Sequence, residues 1–137
     1  MIDINFEDIE PINEVNEEFL TQWLDKVTQL ENKKLGELTF IFTSDDYLLK
    51  VNQQYLEHDY YTDIITFDYC EDDYVIGDLF ISIDRVKDNA QTNNTTFQNE
   101  LNRVIVHGVL HLCGYKDKSE VDEQLMRQKE NQMLALI

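Results

Sequence analysis

Two histidines, four residues apart, sit in the oily stretch Val104-Ile105-Val106-His107-Gly108-Val109-Leu110-His111-Leu112-Cys113-Gly114. Nearly every neighbour is apolar, which predicts a helix buried on most sides. A four-residue spacing places both imidazoles on one face of that helix, with Cβ atoms about 6 Å apart. One buried histidine is usually a hydrogen-bonded core residue. Two on the same face need a common partner, because unpaired imidazole in an apolar interior is costly, and a divalent metal supplies one. Gly114 can adopt the left-handed conformation that ends a helix. The chain can then turn back so that Asp117 reaches the same ion. Two histidines, one carboxylate and a fourth position left for water make the pattern of a catalytic rather than a structural zinc site.

The HExxH helix of metalloproteases shares the histidine spacing but follows its first histidine with a glutamate that acts as base. Here that place holds Gly108, so a protease would lack its base. Cys113 lies two residues beyond His111, off the histidine face, and reads as core rather than ligand. His58, in the polar run Glu57-His58-Asp59, reads as an exposed loop residue.

The elements that must position these residues are mixed helix and strand. Val15, Phe19, Trp23, Leu24, Val27 and Leu30 recur at helical spacing across 14–32, which predicts a helix with one apolar face. Residues 38–42 are rich in aromatic and β-branched types and read as a strand. Ser44 opens a second helix to about Tyr55, with Asp45 and Asp46 where the dipole favours acids. Ile64–Phe67 and Ile76–Ser82 are two more strands around the turn Cys70–Asp73, and Ile4–Phe6 is a weak fourth. A short helix around Asp84–Ala90 and a polar loop Gln91–Thr96 follow. Thr95-x-x-Gln98 then resembles a capping box for the histidine helix. A last helix starts at Ser119, with Val121, Leu125, Met126, Met133 and Leu134 expected inward.

The chain has 137 residues, 42% of them apolar, with four glycines and one proline. That predicts one globular domain over 1–137, without linkers or repeats. No run of 18 apolar residues is present to span a membrane, and the acidic start MIDINFEDIE is unlike a secretory signal. A cytoplasmic location is therefore expected, where Cys70 and Cys113 stay reduced. The formal net charge is −17, a field that repels phosphate chains. Net charge describes the whole surface, however, while a ligand meets one cleft. Arg85, Lys87, Arg103, Lys116 and Lys118 fall near the site segments.

HGVLHLCGYKDK (107–118) resembles the signature of the YbeY family of rRNA-maturation endoribonucleases, a HGxLHLxGYDH stretch that gives three histidine ligands to one metal. Asn52-x-x-Tyr55, Asp59-x-x-Thr62-Asp63-Ile64-Ile65-Thr66-Phe67, Ile76-Gly77-Asp78-Leu79-Phe80-Ile81-Ser82 and Met126-x-x-x-Glu130-x-x-x-Leu134 are similar to further motifs of that family, in order over roughly 36–136. Two departures stand out. Asp117 takes the place of the third histidine, an acceptable exchange of ligand type. Leu56 stands where the family has an arginine taken to engage the RNA phosphate, with Arg85, Arg103 and Lys116 as the candidates to replace it.

The fold expected is α+β and zincin-like: a small mixed sheet of four strands with packed helices and the histidine helix buried centrally. The resemblance implies a metal-dependent endoribonuclease specific for single strands, acting on rRNA and ribosomal subunits rather than DNA or membranes. His107, His111 and Asp117 would be the ligands of one zinc or other divalent ion. Asp63 and Asp78 match family positions and read equally well as site carboxylates or as structural anchors. Three other readings share the residues: a metalloprotease-like peptide hydrolase, a non-haem iron protein, and a non-catalytic ribosome-assembly factor.

Overall fold

The computed structural model describes residues 1–137. Four strands, β1 (Ile2–Glu7), β2 (Lys34–Thr43), β3 (Ile64–Asp68) and β4 (Tyr74–Ser82), form one sheet in the order β1-β2-β4-β3. β1, β2 and β4 run parallel, while β3 pairs antiparallel with β4 at the edge. The helices are α1 (Glu17–Leu30), α2 (Asp45–Leu56), α3 (Ile83–Thr92), α4 (Phe97–Leu112) and α5 (Glu120–Leu134). The expected α+β architecture with a mixed four-stranded sheet is therefore found. The strand read as weak, around Ile4–Phe6, is a full edge strand.

Alternation along the strands divides the core. Leu38, Phe40 and Phe42 of β2, with Val75, Leu79 and Ile81 of β4, face one side. There they meet Leu20, Trp23, Leu24 and Val27 of α1 and Val104, Ile105, Val109 and Leu112 of α4. A smaller cluster, Leu48 and Val51 of α2 with Ile65, Phe67 and Phe80, covers the other side. The indole of Trp23 donates from Nε1 to the Met133 carbonyl (2.9 Å), tying α1 to α5.

Two sequence readings need correction. The N-cap of α4 is Thr96, not Thr95, and its hydroxyl accepts from the Asn99 backbone N–H. Thr95 instead accepts from the Asn99 side-chain amide. On α5, Val121 is 73% exposed and Leu125 43%, whereas the buried stripe is Met126, Glu130 and Met133. Met126, Met133 and Leu134 face inward as expected, but Val121 and Leu125 do not, because the inward stripe includes a carboxylate in place of further apolar residues.

α4 approaches the sheet closely at Gly108. A Cβ there would lie 2.5 Å from Ile64 Cδ1 and 2.7 Å from Leu79 Cδ2. The absence of a side chain lets the helix rest directly on β3 and β4, which fixes the height of His107 and His111 above the sheet. It also explains why the protease glutamate has no place here: position 108 is pressed against the sheet, away from the histidine face.

Candidate metal centre

His107 and His111 project from the exposed rim of α4, with side chains 23% and 25% exposed. Their Nε2 atoms point at each other across 3.0 Å. α4 ends at Leu112 and Gly114 takes φ = 107°, a conformation that costs glycine little. The chain reverses there and brings Asp117 Oδ2 to 3.4 Å from both Nε2 atoms. His107, His111 and Asp117 thus offer three donor atoms within 4.8 Å of one another.

The tautomers follow from the outer partners. His107 Nδ1 lies 2.7 Å from Glu130 Oε2. The carboxyl of Glu130 tends toward protonation by burial, but hydrogen bonds from His107 and Arg103 outweigh this and hold it below the usual carboxylate range. An ionised carboxylate can only accept, so His107 Nδ1 donates. His111 Nδ1 lies 2.9 Å from the Tyr115 carbonyl, which also only accepts. In the neutral rings both Nε2 atoms therefore carry bare lone pairs, aimed at each other and at a carboxylate oxygen. Such an arrangement needs a cation at its centre. Without a metal the arrangement favours a proton there: burial disfavours charge on His107, but Glu130, Asp63 and Asp117 prevail and raise its pKa above the ordinary value. A divalent ion fits the donor set equally in kind, since carboxylate and carbonyl partners behind the imidazoles are the usual support of histidine ligands.

That support is itself anchored. Glu130, 7% exposed in its side chain, also accepts from Arg103 Nη1 at 2.9 Å. The Tyr115 hydroxyl donates to Glu31 at the end of α1, and Lys129 lies 3.4 Å from the same carboxylate. Sequence reasoning gave neither Glu130 nor Glu31 a role. The available signal for Glu130 was a carboxylate repeating at i+4 and i−3 with Met126 and Met133.

The remaining candidates separate. Asp63 lines a cleft of about 490 Å³ together with His107, His111 and Asp117. Burial, opposed by His107, raises its pKa. Asp78 alternates with the buried residues of β4 and lies on the side of Phe80 and α2, away from the histidines. His58 is exposed, as expected, yet it lines the same cleft. Arg85 is committed to Asp45 and Asp88, and Arg103 to Glu130 and Asn131. Lys116 does not line the cleft, whereas Lys118 does. On the other side of His107 a second cleft, about 640 Å³, is walled by Glu120, Glu123 and Glu130 with Arg127. Its excess of carboxylates disfavours a polyanion. Cys113 is pushed up to about 12 by burial, with Glu31 adding to it, as a core thiol would be.

Comparison with known proteins points the same way. The family model described as Endoribonuclease YbeY matches residues 2–137. The chain is 54% identical over 117 residues to the endoribonuclease YbeY of Phocaeicola vulgatus, covering 85% of each chain. It is 48% identical over 136 residues to that of Flavobacterium johnsoniae, covering 99% of this chain and 96% of the relative. The solution structure of a Thermotoga maritima protein superposes with a TM-score of 0.70 at 30% identity, over 98% of this chain and 87% of the other.

Proposed function

The chain belongs to the endoribonuclease YbeY family, and from that premise we propose that it is a metal-dependent endoribonuclease cleaving single-stranded RNA in rRNA maturation and ribosome quality control. Residues 1–137 form its one catalytic domain, working in the cytoplasm on ribosomal subunits. The observation that carries the chemistry is the pair of inward-facing Nε2 atoms with both Nδ1 atoms already engaged and Asp117 Oδ2 equidistant. His107, His111 and Asp117 hold the ion, and zinc suits two imidazoles and a carboxylate with an open position. When bound, it supplies Lewis-acid chemistry, acidifying water and drawing charge from the phosphoryl group.

The protein's own groups do the rest. Glu130 and the Tyr115 carbonyl hold the two imidazoles in the tautomer that presents Nε2. Lys118 offers a positive charge to a backbone phosphate in the cleft. Asp63, raised by its burial, lines that cleft and is the group placed to pass a proton to the leaving oxygen. A peptide hydrolase reading fails on position 108, where a glutamate base would meet the sheet.

Metal analysis and RNA cleavage on the same sample test this reading. Purified protein should carry about one divalent ion per chain and cut single-stranded RNA in preference to duplex RNA or casein. His111→Ala should lose both the ion and the cleavage. Full metal content in that variant, or casein cleavage with RNA left intact, would overturn it.

A further inference from the structure

We propose that the loop joining α2 to β3 carries a base-stacking platform, Tyr60 backed by His58, which takes an unpaired RNA base beside the metal centre. This rests on the RNA-cleaving function proposed above. Both rings line the cleft that holds His107, His111 and Asp117. They are stacked at 5.1 Å between centroids and 21° between planes, and Tyr60 Oη is hydrogen-bonded to His58 Nδ1 at 3.0 Å. Tyr60 nevertheless remains 57% exposed. Among the exposed tyrosines, Tyr60 is the one that lines the cleft of the histidine pair, which places its open face where an unpaired base next to the scissile bond would lie.

The loop is built to hold that ring in place. Asn52 is 1% exposed, and its side-chain amide donates to the Tyr60 backbone carbonyl at 2.9 Å while its backbone carbonyl accepts from the His58 N–H at 3.1 Å, as part of the α2 C-terminal turn. Glu57 takes a left-handed φ of 57° to begin the turn, and the Gln53 amide donates to the Asp59 carboxylate. The buried asparagine anchors the loop backbone at Tyr60 and His58 holds the ring, so part of the ordering cost of binding is met before a ligand arrives.

Charge argues for the same occupant. The chain carries −17, and Lys118 is the one lysine or arginine side chain that lines this cleft, alongside Asp63 and Asp117. Apart from the ion, side-chain attraction for phosphate is sparse there, and a neutral contact adds affinity that charge does not supply. Every base has a π-face, and stacking on an aromatic side chain is strong and tolerant of sequence. Bases inside a duplex have both faces covered, so a platform of this kind selects unpaired strands.

Fluorescence anisotropy with metal-free protein and a short labelled single-stranded oligoadenosine tests the platform apart from cleavage. Tyr60→Ala should weaken binding about tenfold or more, and Tyr60→Phe should restore it. Unmodified protein should lose a similar factor on a matched abasic strand, which needs no variant to fold. The log–log salt slope of binding should be shallow, about −0.7 for one phosphate neutralised. Parent-like binding by Tyr60→Ala, or equal affinity of the parent for the abasic strand, overturns the platform. So does a salt slope of about −3 or steeper, which would assign the affinity to charge. If Tyr60→Ala instead changes the sedimentation of the protein, the patch joins copies of this chain and the inference falls. A parent that cleaves single strands in all these cases keeps its proposed function, whereas one that neither binds nor cleaves RNA loses both.

Discussion

Replacing Glu130 by glutamine tests whether the metal centre is held from behind. Glu130 Oε1 accepts from Arg103 at 2.9 Å and Oε2 from His107 Nδ1 at 2.7 Å, with Arg127 a further 3.8 Å away. Glutamine keeps the shape but offers one oxygen, and its amide must face either Arg103 or His107 donor to donor. One charge-assisted hydrogen bond is lost, worth about 1.5–3 kcal/mol. Removing one partner of a fully buried ion pair costs about 3–5 kcal/mol. Arg103 is 18% exposed and keeps its Asn131 contact, so solvent recovers part of that. Together these give a loss of about 2–4 kcal/mol. His107 would also lose the acceptor that fixes its tautomer, and metal affinity should fall about 10- to 100-fold. Urea unfolding with a chelator present reads the first number, and competition with a chromogenic chelator reads the second. Glu123→Gln, exposed on the same helix, should change neither. A stability loss below about 1 kcal/mol combined with unchanged affinity would refute the idea that Glu130 holds His107.

The same pair sets a pH dependence. Without metal, Glu130 is held below its ordinary 4.5 and His107 above its ordinary 6.5. Their stabilisation is complete between those values, lost as pH falls through the Glu130 pKa and as pH rises through that of His107; urea midpoints across pH with chelator should peak there, and a flat profile would contradict it. Gly108→Ala should cost about 1–3 kcal/mol from overpacking, less about 1 kcal/mol of helix propensity gained, because the clashing atoms are the tips of Ile64 and Leu79. Gly108→Glu should unfold the protein or nearly so, and a stable variant with peptidase activity would reverse the account of position 108. Asp117→Asn should weaken metal binding strongly while Asp117→His preserves it, and equal binding by both would place the third ligand elsewhere. A Cys113 pKa pushed up to about 12 leaves about one part in ten thousand as thiolate at pH 8, so its alkylation by iodoacetamide should run more than about a hundredfold slower than that of free cysteine.

Much of the site was legible because its signals are local. The histidine pair and the glycine that ends its helix lie within eight residues, and the apolar run around them declares the helix. What supports the site was hidden because it comes from elsewhere. Glu31 is 84 positions from the Tyr115 it pins, and Glu130 sits on a helix where Val121 and Leu125 suggest a broader apolar face than the one buried. β1 looked weak since its partner, β2, lies beyond a whole helix in sequence. The run Glu57-His58-Asp59 read as polar, with His58 an exposed loop residue, and that exposure is found. Its neighbours were not legible, because nothing in Glu57-His58-Asp59-Tyr60 says that Asn52 draws it against the histidines.

The link from Trp23 to the Met133 carbonyl spans 110 positions, and the carboxylate behind His107 arrives 23 residues after it. During synthesis at about 5–20 residues per second, His107 and His111 emerge before the helix that steadies one of them. The brace behind His107 is thus the last part of the site to be synthesised, and it is in place only when α5 docks on α4. A nascent chain holding only α1 to α4 has its imidazoles but not their brace, so it should scavenge zinc poorly and remain inert. A fragment ending at Arg127 offers a direct check, since parent-like zinc affinity in it would mean the seat forms without its final helix.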